Sequence, residues 1–207
     1  MSDEFPIIPE KTCLLFFDTL NGGWHPADSA AAAAVAATGI IPRFQKIEQA
    51  CRAAGIPVFY TQPEHRQDGK DWGLTVVGDP PRVTYFAGAN YKGSHNAMII
   101  DEIQPRPGDY IITKHRWSSF HQTHLELSLR SRGIDTIILA GGSTNVGIAS
   151  TAYAARDRDF SLIILRDACK ARDPEVNDFL MNEVFPRVSR VLTVDETIAS
   201  IAVPATV

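Results

Sequence analysis

Leu139-Ala140-Gly141-Gly142-Ser143-Thr144-Asn145-Val146-Gly147-Ile148 is the stretch on which the fold turns. It reads as an apolar strand that passes through a glycine-rich turn directly into a segment of helical period, Asn145 to Arg156. Outward from it the same alternation repeats. Short apolar runs at Cys13 to Phe17, Ile56 to Thr61, Asp109 to Thr113, Thr136 to Ala140, Leu162 to Leu165 and Val188 to Thr193 read as strands. Between them Ile40 to Ala54, Thr123 to Arg132, Pro174 to Val184 and Asp195 to Ile201 read as helices, with Gly55 and Gly133 as stops. Strands alternating with helices predict an α/β fold with a parallel sheet, and runs apolar on both faces suit strands covered on each side. Ala30 to Ala37 is compatible with a short helix or a surface loop.

Gln62 to Gly108 departs from the pattern. It is irregular, rich in glycine and proline, and carries Trp72, Tyr85, Phe86 and Tyr91, with one weak helical turn at Met98 to Ile103. A long irregular segment in a compact domain is usually functional. It is expected to cover a ligand pocket or to make a subunit contact. Nothing marks a linker or a repeat, so a single domain over 1–207 is expected.

The bulk properties exclude several partners. A net charge of −4 provides no basic footprint for nucleic acid or an anionic membrane, which leaves a small molecule as the expected partner. No apolar run approaches the roughly 20 residues that span a bilayer. Met1 to Glu10 has no basic start of a secretory signal. Cys13, Cys51 and Cys169 are widely spaced without a metal-ligand pattern, as in reduced thiols of a cytoplasmic protein, the expected compartment. His121 and His124 stand at i, i+3 but lack a third ligand in pattern, so no metal and no cofactor are expected.

Chemistry is expected at one edge. Asp18 and Lys114 each end a strand run, and the Gly141 to Gly147 turn ends a third, delivering an acid, a cation and a helix N-terminus together. In open α/β sheets that carboxyl edge is where ligands bind. Beside a lysine, a buried aspartate has its proton affinity raised by desolvation and lowered by the ammonium. The balance decides whether Asp18 acts as acid or base.

The ordered set Leu14-Leu15-Phe16-Phe17-Asp18, Pro107-Gly108-Asp109, Lys114 through Phe120, Gly133-Ile134-Asp135, Gly141 to Gly147 and Arg166-Asp167-Ala168-Cys169 resembles the isochorismatase-like cysteine hydrolase family over nearly the whole chain. The resemblance implies a three-layer α/β/α sandwich with a mainly parallel, Rossmann-like six-stranded sheet, and a homodimer or homotetramer. It also implies catalytic positions at Asp18 and Lys114, and a cis peptide at Gly142-Ser143 in an oxyanion-binding loop. Most members carry a cysteine nucleophile at the position of Gly147. Here that side chain is missing; Ser143, Thr144, Ser150 and Thr151 lie nearby without a recognisable base at fixed spacing, and Cys169 lies where the next strand ends as a candidate displaced nucleophile. The family's isochorismatases also have glycine there and cleave a vinyl ether without a covalent intermediate. They carry Tyr-Ala where this chain has Ser143-Thr144, and Met-Gln-Asn-Asp where it has Thr19-Leu20-Asn21-Gly22. Metal-dependent nicotinamidases have an Asp and two His after the second strand, and Thr61-Gln62-Pro63-Glu64-His65 lacks that spacing.

The expected function is therefore hydrolysis of a small molecule by non-covalent acid/base chemistry such as enol-ether cleavage, with Asp18 as acid or base and Lys114 as electrostatic partner. Alternatives are a C–N hydrolase using Asp18-activated water and a ligand-binding member without activity. Gln62, Gly142 and Ser143 are the expected substrate contacts, with Trp24, Trp117 and Phe120 as pocket walls or, alternatively, core aromatics. Thr144 is expected to cap the following helix.

Overall fold

A computed structural model describes residues 5–71, 75–77, 82–84 and 91–201. The sheet is built from Thr12–Phe17 (β1), Val58–Pro63 (β2), Tyr110–Lys114 (β5), Thr136–Gly142 (β6), Ser161–Lys170 (β7) and Arg190–Leu192 (β8). Thr75–Val77 (β3) and Arg82–Thr84 (β4) form a separate antiparallel pair. The order is β5-β2-β1-β6-β7-β8, with every neighbouring pair parallel. The chain winds outward from β1 through β2 to β5, then returns to β6 on the other side of β1. The crevice at the carboxyl ends of β1 and β6 is thus the switch point where such sheets bind ligands.

The helices are Asn21–Trp24 (α1), Ser29–Ala37 (α2), Ile40–Ala53 (α3), Leu125–Ser131 (α4), Ala149–Arg156 (α5), Pro174–Phe179 (α6) and Val194–Ala199 (α7). Alternation along β1 sorts them into two layers. Leu14 and Phe16 join a core with Ile40, Phe44, Ile47 and Cys51 of α3 and Val194 of α7. Cys13, Leu15 and Phe17 join the opposite core with Leu125 and Leu129 of α4 and Ala152 and Ala155 of α5. Each strand residue thereby buries its side chain against one helical layer or the other.

Local chemistry accounts for the boundaries. In α3 the buried residues fall three and four apart, and the chain leaves the helix at Gly55, where φ is +76°. The alanine run is helical, capped by the Asp28 side chain on the Ala31 N–H, although Val35 is its only buried residue. α7 starts with a reciprocal capping box between Thr193 and Glu196.

Several expectations need correction. The strand read at Leu162 to Leu165 runs on to Lys170 after a register shift against β6, so Arg166 to Cys169 form the end of β7. The segment from Asn145 is not uniform α-helix, because Thr144–Ile148 is a π turn before α5, and Leu180–Val184 similarly follows α6. The irregular region contains β3 and β4, whose Thr and Val residues favour extended backbone. Short 3-10 turns stand at His95–Ala97 and Asp101–Ile103. Trp72, Tyr85 and Phe86 lie outside the described residues. Among the described residues, no helix is long and apolar enough to cross a membrane.

A buried ionic network fixes the strands that carry the site. Arg52 on α3 donates to both carboxylate oxygens of Asp109 (2.9 and 2.6 Å) and to Glu48 (2.9 Å). Glu48 also accepts from the Tyr60 hydroxyl on β2 at 2.7 Å. Asp109 immediately precedes β5, so one guanidinium ties α3 to both strands flanking that edge of the sheet. Removing one partner of such a network strands the others without compensation. Arg52→Met should therefore lower stability by about 3–5 kcal/mol, read as a lower urea midpoint with an unchanged slope.

Candidate active site

β1 ends at Phe17, and the next residue leaves the strand in a left-handed conformation, with Asp18 at φ +46°. Non-glycine residues adopt this region rarely, and Asp is among those that tolerate it. Two contacts hold the turn. The indole N–H of Trp24 donates to the Asp18 carbonyl at 2.9 Å, and the Asp18 N–H donates to Thr61 Oγ1 at 3.1 Å.

The carboxylate is then aimed at two partners. Lys114 Nζ lies 2.8 Å from Oδ2, and the Thr61 hydroxyl donates to Oδ1 at 3.0 Å. The Lys114 side chain is 5% exposed and that of Asp18 21%. Lys114 also donates to the Arg116 carbonyl at 3.3 Å and sits 4.5 Å from the centre of the Phe17 ring. Carboxylate, carbonyl and ring face together fix the ammonium. Burial raises the proton affinity of Asp18 above its ordinary value, and the charge and hydrogen bond of Lys114 oppose this without cancelling it.

On β6, Gly141 has φ +121°, and a Cβ there would run into the Phe17 carbonyl, so this position requires glycine. The peptide Gly142-Ser143 is cis. A Cβ on Gly142 would lie 2.9 Å from the Lys170 carbonyl and 3.3 Å from Trp24 Cζ2, which places the Trp24 ring beside this loop. Ser143 Oγ donates to Asn145 Oδ1 at 2.6 Å. Gly147 is buried in the π turn, with the edge of the Phe17 ring against its Cα.

Asp18, Lys114, Trp24, Gly142 and Gly147 are thus linked through contacts with one another or with Phe17. Gln62 lies in β2 beside Thr61 and donates to the Ala97 carbonyl at 2.7 Å. The 95–100 segment also receives Asn21 Nδ2 on the His95 carbonyl, and its Ile100 N–H donates to the Thr19 carbonyl. It therefore packs over the chain that leaves Asp18. Trp117 is half exposed, whereas Phe120 is buried against Phe160 in the α4 and α5 layer. Thr144 is not a cap: its hydroxyl donates to Asn177 on α6 at 2.8 Å, because the π turn buries it away from the helix start. Burial pushes the Cys169 thiol well above its ordinary value, and its Sγ faces the Leu139 carbonyl, so it is no substitute nucleophile.

Sequence reading passed over Thr61. The available signal was its position, since Thr61 pairs in register with Phe17 at the end of the adjacent strand. It also passed over Asp71. With His115, Arg116, His121 and Gln122, this residue lines a polar cavity of about 160 Å³, and its carboxylate is 3.6 Å from the His115 ring. His115 and Arg116 directly follow Lys114, so β5 ends at both features. Cavity residues so far apart in sequence left no local pattern.

Comparison with known proteins agrees with this fold. The family described as the isochorismatase domain matches residues 12–196. The uncharacterised isochorismatase family protein YecD of Escherichia coli O157:H7 is 35% identical over 175 residues, covering 84% of this chain and 85% of its own. The ureidoacrylate amidohydrolase RutB of Methylobacterium radiotolerans is 32% identical over 183 residues, covering 81% of this chain and 70% of its own. A cysteine hydrolase from Pseudomonas syringae pv. phaseolicola 1448A superposes with a TM-score of 0.80 at 27% identity, over 96% of this chain and 95% of that one.

The balance at Asp18 has a measurable sign. The folded protein holds this proton more tightly than the unfolded chain. The resulting stabilisation is full below the unfolded midpoint and is lost as pH rises through the folded one. A carbon-13 titration of the Asp18 carboxyl should give a midpoint above that of an ordinary aspartate. Lys114→Met should move it higher still, because the opposing ammonium is gone.

Proposed function

The chain belongs to the isochorismatase family of hydrolases, and on that premise we propose that it hydrolyses a small molecule without a covalent intermediate, with Asp18 as general acid. The reading takes position 147 as the place where thiol members carry their nucleophile. The observation that carries it is the Asp18 carboxyl itself, whose proton is favoured by burial while Lys114 sits 2.8 Å away. A carboxyl that stays protonated can deliver a proton in the bond-breaking step.

Enol-ether cleavage fits these groups. Asp18 gives its proton to the terminal methylene carbon of an enolpyruvyl ether, generating an oxocarbenium ion. Water adds to the adjacent, oxygen-bearing carbon of that ion and gives up a proton to the Asp18 carboxylate, and the hemiketal collapses to pyruvate and the alcohol. As Asp18 becomes a carboxylate, Lys114 is already in place to stabilise the new charge, and Thr61 donates to its other oxygen. Lys114 can equally hold a substrate carboxylate. Gln62, Trp24, Trp117 and the Gly142-Ser143 loop are the proposed surroundings of the substrate, with the loop N–H groups as donors to an anion, whereas Phe120 belongs to the core with Phe160.

A second reading is favoured by the amidohydrolases and the amidase among the relatives. RutB is a ureidoacrylate amidohydrolase, so a C–N hydrolase in which Asp18 activates water is the alternative. It requires an ionised Asp18 and releases ammonia or an amine.

Incubation with isochorismate, with pyruvate followed by a coupled assay, separates the two. Wild-type protein should form pyruvate at a rate that falls as pH rises through the Asp18 midpoint. Asp18→Asn should lose about 10²–10⁴-fold or more, since an amide has no proton to give. Retained turnover in that variant would refute the acid role, and ammonia release from an amide substrate instead of pyruvate would favour the alternative.

A further inference from the structure

Gly147 does not owe its identity to its backbone. It is absent from the glycines with positive φ and lies within the helical 144–148 turn, where any residue could stand. What forbids a side chain is Phe17. A Cβ built on Gly147 would fall on the Cε1 and Cζ atoms of that ring, closer than the 3.0 Å below which real Cβ contacts essentially do not occur, with Cδ1 at 3.1 Å. The obstacle cannot be moved cheaply. Phe17 is 2% exposed and belongs to the core with Ile148 and Ala149, and Lys114 lies over its face.

We propose that the Phe17 ring occupies the volume of a nucleophile's side chain, so that a ring at 17 and a thiol at 147 exclude one another. The missing nucleophile is then a coordinated exchange of bulk between the end of β1 and the turn that follows β6 rather than a simple loss. The ring seals the gap above the helix start, and its face becomes part of the Lys114 seat. Restoring cysteine at 147 alone cannot restore a thiol site; the ring must leave as well. The functional weight of this exchange rests on the proposed role of position 147, whereas its steric content does not.

Four proteins test it: wild type, Gly147→Cys, Phe17→Val and the double variant, with Phe17→Leu run beside Phe17→Val as a milder truncation. The readouts are thermal midpoint and iodoacetamide labelling located by peptide mass spectrometry. The native thiols give a low background, since Cys13, Cys51 and Cys169 are buried and burial pushes the Cys51 thiol up to about 12. Gly147→Cys alone should fall well below wild type in melting temperature or fail to fold. Adding Phe17→Val should recover folding and label Cys at 147 at least ~10-fold faster than the buried Cys13, Cys51 and Cys169 of the same folded protein, as expected of a thiol at a helix start. Midpoints that merely add, a Gly147→Cys protein as stable as wild type, or double variants that fail to fold would each overturn the exchange. A recovered fold with an unlabelled thiol would overturn the claim that the vacated volume is a nucleophile's place. Pyruvate formation enters none of these outcomes, so failure of the enol-ether reading remains separately visible.

Discussion

The close approach of Phe17 to β6 and to the turn after it is the constraint on which this end of the molecule depends. Two glycines meet one residue. Gly141 accommodates the Phe17 carbonyl with a backbone only glycine adopts readily, and Gly147 accommodates its ring. Because β1 and β6 are neighbours at the switch point, this contact sets how the 142–147 loop sits above the sheet. It also sets where Asp18 begins, one residue later. The ring's other neighbour is the Lys114 ammonium, so a single side chain separates the acid and its cation from the helix start.

Around that contact the structure maintains an arrangement that costs stability. Asp18 takes a left-handed φ, and Lys114 is nearly inaccessible beside a carboxyl whose charge burial disfavours. Buried ion pairs are weak sources of stability, since desolvation offsets much of their attraction. Groups held this way in a crevice are therefore better explained by chemistry than by folding. The rigidity they need comes from beneath: Thr61 and Trp24 fix the Asp18 backbone, while the Arg52 network holds β2 and β5 at their register. The proposed acid chemistry would depend on these supporting groups as much as on the reacting ones.

The sequence made the scaffold legible because the parallel sheet is written in local patterns. Cys13 to Phe17 and Thr136 to Ala140 are apolar on both faces, and both are central strands. Asp18 and Lys114 were legible because each polar residue ends such a run. Phe17 was not: as the last apolar residue of a strand it looks like core, and only the three-dimensional neighbours of Gly147 reveal its second role. Thr144 misled for a related reason, since a threonine after a turn resembles a cap until the π turn rotates it toward Asn177. The strand run at Leu162 to Leu165 reads short because the charged pair Arg166-Asp167 looks like its end; β7 continues to Lys170, and Asp167 accepts from the Val194 N–H at the start of α7.

The central claim is that the proton of Asp18 is transferred to carbon. Turnover of isochorismate in deuterium oxide, with lactate dehydrogenase trapping pyruvate before its methyl group exchanges, tests this directly. Lactate carrying one deuterium in its methyl group is the predicted result. Lactate without methyl deuterium, or no pyruvate to trap, would contradict the account.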